Sequence, residues 1–118
     1  MALFGKKNEK ETAEKTVGLK IDISRNGSEL TVKLKGRLDT LTSPELEDKL
    51  EESLEDVVKL IFDFENLEYI SSAGLRVLLG ASQEMDEVDD GEMVIRNVTK
   101  PVQDVFNVTG FNNAFNIE

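Results

Sequence analysis

Leu19, Ile21 and Ile23 alternate with Lys20, Asp22 and Ser24, and Leu30, Val32 and Leu34 alternate with Thr31, Lys33 and Lys35. A period of two puts the apolar residues of each run on one face of a half-buried strand. Asn26-Gly27 between the runs is a tight-turn signal, so the two strands form a hairpin. Gly36 is expected to end the second strand, where the backbone needs unusual freedom. The period then changes. Thr42-Ser43-Pro44-Glu45 reads as a helix start, with Thr42 and Glu45 at capping-box spacing and proline in the first turn. Leu46, Leu50 and Leu54, extended by Val57, make one apolar stripe. The other faces carry Glu45, Glu47, Asp48, Glu51, Glu52, Glu55 and Asp56 against a single Lys49. Such a face is first of all a solvated one, and secondarily a surface for a basic partner.

The central stretch has three parts. Leu60-Ile61-Phe62-Asp63-Phe64 is a nearly continuous apolar run, the mark of a buried strand. Glu65 to Ile70 reads as a short connection. Ser71-Ser72-Ala73-Gly74 then leads into Leu75, Val77, Leu78, Leu79, Ala81 and Met85 at helical spacing. The start of a helix has unpaired N–H groups and a partial positive charge. A serine there either caps the helix with its own oxygen or carries a phosphate that these groups tolerate. On spacing alone the cap is the preferred reading. Beyond it, Glu84 to Gly91 is a helix end and an acidic turn. Its acids lack the ordered ligand spacing of a calcium loop, so no metal is assigned. Met93-Val94-Ile95 is a short strand. Lys100-Pro101 opens another helix, with Val102, Val105 and Phe106 on one face and Gly110 after it. Residues 112–118 add a final edge strand at most.

The order strand, strand, helix, strand, helix, strand, helix implies parallel pairings with right-handed crossovers. The expected fold is α/β: a mixed sheet of four to five strands with an N-terminal antiparallel hairpin and helices mainly on one face. The 118 residues suit one domain. Residues 1–16 are polar without amphipathic period and read as a mobile tail, leaving 17–118 as the domain.

Composition removes several functions. There is no histidine and no cysteine, so the usual general base, the thiol nucleophile and the commonest metal ligands are missing. No G-x-x-x-x-G-K-[ST] or G-x-G-x-x-G supports a nucleotide-binding protein. An enzyme built on paired carboxylates ranks last, because the acids lie on helix faces and turns. No cofactor is expected. The net charge is −10. Residues 1–16 hold four lysines against three glutamates, a balance of +1, so the remainder carries −11. That field repels nucleic acid and anionic membrane, and steers in a partner with a basic face. No apolar run approaches the ~20 residues of a membrane span, and Lys6 and Lys7 interrupt the start of the chain before any signal-peptide core. The expected location is the cytoplasm.

Ile70-Ser71-Ser72-Ala73-Gly74-Leu75 after Asp63-Phe64-Glu65-Asn66-Leu67 resembles the signature of STAS domains, the anti-sigma factor antagonist family. Gly36-Arg37-Leu38-Asp39 resembles the family's G-x-L-D. Gly91 to Val94 and Val105 to Phe111 resemble its later strand and helix. The likeness spans about Leu19 to Ile117. It implies the STAS fold and a protein that is substrate and ligand rather than enzyme. Unphosphorylated, such a domain binds an anti-sigma factor that is also a serine kinase, and so frees a sigma factor. Phosphorylation switches it off, and a metal-dependent serine phosphatase resets it. Aligned on the glycine, Ser72 falls at the phosphorylated position. Ser71 stands where many members have aspartate and is the second choice. The resemblance makes Asp39, Ser71, Ser72, Ala73, Gly74 and Arg76 the partner-binding set. Family members commonly carry one further helix after the last strand; its absence here is expected to expose surface that favours a dimer or a partner contact, and the expected state is a monomer or weak homodimer. The alternative is a STAS subunit that never switches and serves as a structural or sensory module of a larger assembly.

Overall fold

In the computed structural model, which describes residues 18–118, both alternating runs are strands: β1 (Leu19–Asn26) and β2 (Glu29–Leu38), paired antiparallel. Their turn is Gly27-Ser28, one residue later than the sequence pattern suggests. Glycine supplies the positive φ (+64°) at its first central position. β2 does not stop at Gly36 but runs on to Leu38. Gly36 has φ +108°, and a Cβ there would collide with the Gly18 carbonyl. The glycine therefore permits close approach of the preceding backbone within the strand rather than ending it.

Three helices follow in alternation with strands: α1 (Ser43–Ser53), β3 (Lys59–Ile70), α2 (Ser72–Asp86), β4 (Glu92–Arg96), α3 (Lys100–Thr109), a 3₁₀ turn (Phe111–Asn113) and β5 (Asn116–Ile117). The sheet order is β1-β2-β3-β4-β5, with every pair after the hairpin parallel. Crossovers that all step the same way lay their helices on the same face. Leu46 and Leu50 of α1, Leu75, Leu78 and Met85 of α2, and Val102 and Phe106 of α3 accordingly join one core with Leu30, Val32, Leu60, Phe62 and Phe64 of the sheet. The other face carries a row of alternating charge, Asp22, Lys33, Asp63 and Arg96, one on each of four successive strands. Val57 is buried, as expected, but in the loop after α1 rather than on the helix. The tail expected for residues 1–16 lies outside the described residues.

The main correction concerns β3. The segment from Glu65 to Ile70, expected as a connection, is strand. Its buried residues, Phe64, Leu67 and Ile70, are three apart, a spacing that hides the strand from an alternation test. The pairing explains it. Between Lys33 and Lys35 of β2 the partner advances from Asp63 to Asn66, and between Gly36 and Arg37 it advances from Leu67 to Tyr69. Each step inserts one extra residue into β3. Two bulges thus keep Leu67 and Ile70 facing the core. Thr99 Oγ1 donates to the Leu67 carbonyl (2.7 Å), satisfying an acceptor in the bulged region.

Candidate functional site

β2 and β3 end side by side, with Leu38 opposite Ile70. The Ser71 N–H donates to the Leu38 carbonyl (2.9 Å) and carries the ladder one step beyond the strand. Ser71 is extended (φ −103°, ψ 177°), Ser72 is the first helical residue, and the Leu75 N–H closes the first turn on the Ser71 carbonyl at 2.9 Å. Ser71 is therefore the N-cap by backbone. Its side chain makes no capping bond, and its Oγ is buried without a partner. The side-chain cap expected from spacing is absent because the hydroxyl is turned into the protein, away from the N–H groups it would accept from. The entrance of α2 keeps donors that no side chain fills.

The predicted residues divide by exposure. Ser72 is exposed, Ser71 and Ala73 are half-buried, and Gly74 is buried. At Gly74 a Cβ would come within 2.8 Å of Leu38 Cγ and 2.9 Å of Ile70 Cγ1. The glycine is what lets the first turn of α2 lie directly on the two strand ends. Arg76 is exposed one turn beyond Ser72, on the same side of the helix. It lines a groove of about 450 Å³ between α1 and α2, whose opposite wall carries Glu47 and Glu51 of α1 and Glu55 of the turn after it.

Asp39 organises the neighbouring loop rather than facing solvent alone. Its Oδ1 accepts the N–H groups of Leu41 (3.0 Å) and Thr42 (3.1 Å), and its carbonyl accepts that of Ser43 (2.8 Å). The Thr42 hydroxyl accepts the Asp39 N–H and donates to the Arg37 carbonyl, both at 2.9 Å. The expected Thr42–Glu45 capping box does not form, because this hydroxyl is already committed to the β2 side of the loop. Asp39, after the end of the strand, holds the loop before the helix through its two N–H contacts, and no side chain caps the helix itself. Asp63 accepts the Glu65 N–H (3.0 Å) and Asn97 Nδ2–H (3.1 Å), tying β3 to the loop after β4.

Sequence reasoning missed two features of this edge. Arg37 lies over the Tyr69 ring, 4.3 Å from its centroid, with its Nε 3.8 Å from Asp39 Oδ2. The cross-strand register Arg37–Tyr69 brings them together, and it follows from the second bulge. Leu41, in the loop held by Asp39, is 89% exposed. Among the described residues no group of three or more acidic side chains is placed to hold a metal ion, and no helix is long and apolar enough to cross a membrane.

Comparison with known proteins places this geometry. The family model for the STAS domain matches residues 20–118. The anti-sigma-B factor antagonist of Staphylococcus aureus is 28% identical over 102 residues, covering 86% of this chain and 94% of that protein. BtrV of Bordetella bronchiseptica, named as a candidate anti-sigma factor antagonist, is 30% identical over 98 residues, covering 82% of this chain and 84% of its own. Among solved structures, the anti-sigma factor antagonist SpoIIAA in its unphosphorylated form matches with a TM-score of 0.66 at 19% identity, over 86% of this chain and 87% of that one. The Bacillus cell fate determinant SpoIIAA in its phosphorylated form matches with 0.66 at 20%, over 84% and 91%. The mixed five-strand sheet and the match over nearly the whole described length lead to one conclusion: the chain belongs to the STAS domain family.

Proposed function

We propose that this chain is an anti-sigma factor antagonist, that its unphosphorylated form binds an anti-sigma factor with serine kinase activity, and that phosphorylation of Ser72 switches the binding off. The observation that carries the reading is an exposed hydroxyl on the first residue of α2, beside a hydrogen-bonded loop. The names of the curated relatives point to the same activity. The action is binding, not catalysis, and the set that meets the partner is Asp39, Ser71, Ser72, Ala73 and Arg76, with Gly74 setting their spacing from beneath.

Burial favours Ser72 over Ser71. A phosphate adds about −1.5 to −2 charges. On Ser72 it stays in water at the positive end of a helix whose first N–H groups lack a side-chain acceptor, so the domain remains folded. On Ser71 the buried oxygen would draw a dianion out of water, which is costly. Once a partner covers Ser72, the same dianion must be desolvated or expelled, and the complex weakens. A metal-dependent serine phosphatase returns the domain to its binding form. The strongly acidic domain speeds encounter with a basic partner face.

The test is intact-mass spectrometry after incubation with ATP and the serine kinases encoded beside the gene, comparing the unaltered chain with Ser71→Ala and Ser72→Ala. One added phosphate that disappears only in Ser72→Ala is the expected result. Loss only in Ser71→Ala would move the site by one residue. No phosphate with any kinase would leave the non-switching STAS subunit as the better account.

A further inference from the structure

A single exposed leucine on a protein surface is ordinarily without meaning. Leu41 differs in three respects. It is the most exposed large apolar side chain among the described residues, at 89%. Its backbone is held: its own N–H and that of Thr42 go to Asp39 Oδ1, and the Thr42 hydroxyl bridges back to the Arg37 carbonyl. Only the side-chain rotor is free. Third, it stands at the end of the sheet where Ser72 stands. Leu41 is three residues beyond Leu38, whose carbonyl receives the Ser71 N–H. Tyr69, the other exposed large apolar residue on this edge, is two residues before Ser71 and lies under the Arg37 guanidinium.

We infer that Leu41 is the apolar anchor of the partner interface. It enters a complementary apolar pocket on the anti-sigma factor, and the Arg37–Tyr69 pair forms the adjoining shoulder of the contact. This inference rests on the antagonist reading above. It separates two roles on one edge: Leu41 supplies affinity and partner choice, and Ser72 supplies the switch. An apolar side chain presented on a pre-ordered loop loses little conformational freedom on binding, which is the property of an interface hot spot. The field of the acidic domain is sign-selective only, so it cannot by itself distinguish one basic partner from another. A protruding leucine can, because a pocket of the wrong shape leaves it in water or excludes it.

The test measures binding of the full chain to a panel of purified anti-sigma factors from the source genome by biolayer interferometry. The variants are Leu41→Ala, Leu41→Lys, Ser72→Glu and Val108→Ala. Val108 is the distant control, 87% exposed on α3. Leu41→Ala is expected to weaken the tightest complex about 10- to 100-fold, mainly through faster dissociation, as burial of one leucine implies. Leu41→Lys is expected to abolish it, and Val108→Ala to leave it unchanged. Thermal melting of both Leu41 variants should match the unaltered chain, since the side chain touches little in the free domain. If Ser72→Glu releases the partner while Leu41→Ala binds normally, the anchor is wrong and the antagonist reading stands. If no anti-sigma factor binds the unaltered chain, both fall. If sedimentation shows a dimer that Leu41→Ala dissociates, the side chain serves a second copy of the chain and the inference is overturned.

Discussion

α2 contains two glycines whose surroundings are opposite, and they form an internally controlled experiment. At Gly74 an added Cβ would lie 2.8 and 3.0 Å from Leu38 Cγ and Cδ2 and 2.9 Å from Ile70 Cγ1. Leu38 and Ile70 are buried to within 1% and cannot swing aside. At Gly80 an added Cβ would meet nothing within 4 Å. Alanine in place of glycine favours a helix interior by up to about 1 kcal/mol. Gly80→Ala should therefore stabilise the domain by about 0.5–1 kcal/mol. Gly74→Ala has the same propensity gain at most, and sets against it an overpacking cost of about 1–3 kcal/mol. It should be net destabilising by up to about 2 kcal/mol. The contrast between the two variants cancels the helix term and isolates the contact between α2 and the strand ends. Urea denaturation of the three proteins at one temperature measures it. With a urea slope of about 1–3 kcal/mol/M, the two variants should differ in midpoint by about 1 M. Equal midpoints would refute the close packing, and with it the account of why glycine stands two residues after Ser72.

Two further substitutions probe the same edge. Asp39→Ala removes the acceptor of two loop N–H groups and should destabilise by about 0.5–2 kcal/mol, while Asp39→Asn keeps an oxygen in place and should recover most of the loss, as read by the same urea titration. Ser71→Ala removes a buried hydroxyl that has no partner, so stability should be unchanged or rise by up to about 1 kcal/mol; a loss above about 1 kcal/mol would mean that the oxygen is bonded after all.

What could be read from the sequence was what local chemistry dictates. The β1–β2 hairpin announces itself through strict alternation around a glycine turn, and α1, α2 and α3 through their apolar stripes. The second half of β3 escaped because its inward residues, Phe64, Leu67 and Ile70, follow a period of three that exists only once the strand is paired with β2. The capping signals misled for a related reason. Thr42 and Ser71 have the residue type and spacing of side-chain caps, yet one hydroxyl is claimed by the Arg37 carbonyl and Asp39, and the other is turned inward. Both choices follow from where the end of β2 is placed, which the spacing within a helix start does not show. The candidate serine was legible through its resemblance to the family signature, and Asp39 through the resemblance of Gly36-Arg37-Leu38-Asp39 to the family's G-x-L-D. The Arg37–Tyr69 contact left no sequence trace, since it depends on which residues of β2 and β3 the bulges align. Leu41 was missed as well, because a lone apolar residue in a polar loop carries no signal until its backbone is seen to be fixed.

The bulges of β3 take up slack in the chain. Between the pairs Lys33–Asp63 and Leu38–Ile70, β3 uses eight residues where β2 uses six, so the two extra residues are absorbed out of the ladder and the strand ends stay level. Deleting one residue within Glu65–Asn66 or Glu68–Tyr69 would let that stretch pair regularly and leave Ile70 opposite Leu38. The position of Ser72 beside the Asp39 loop is thus buffered against single-residue changes of length in β3, a tolerance that lies in the strand rather than in the loop that follows it.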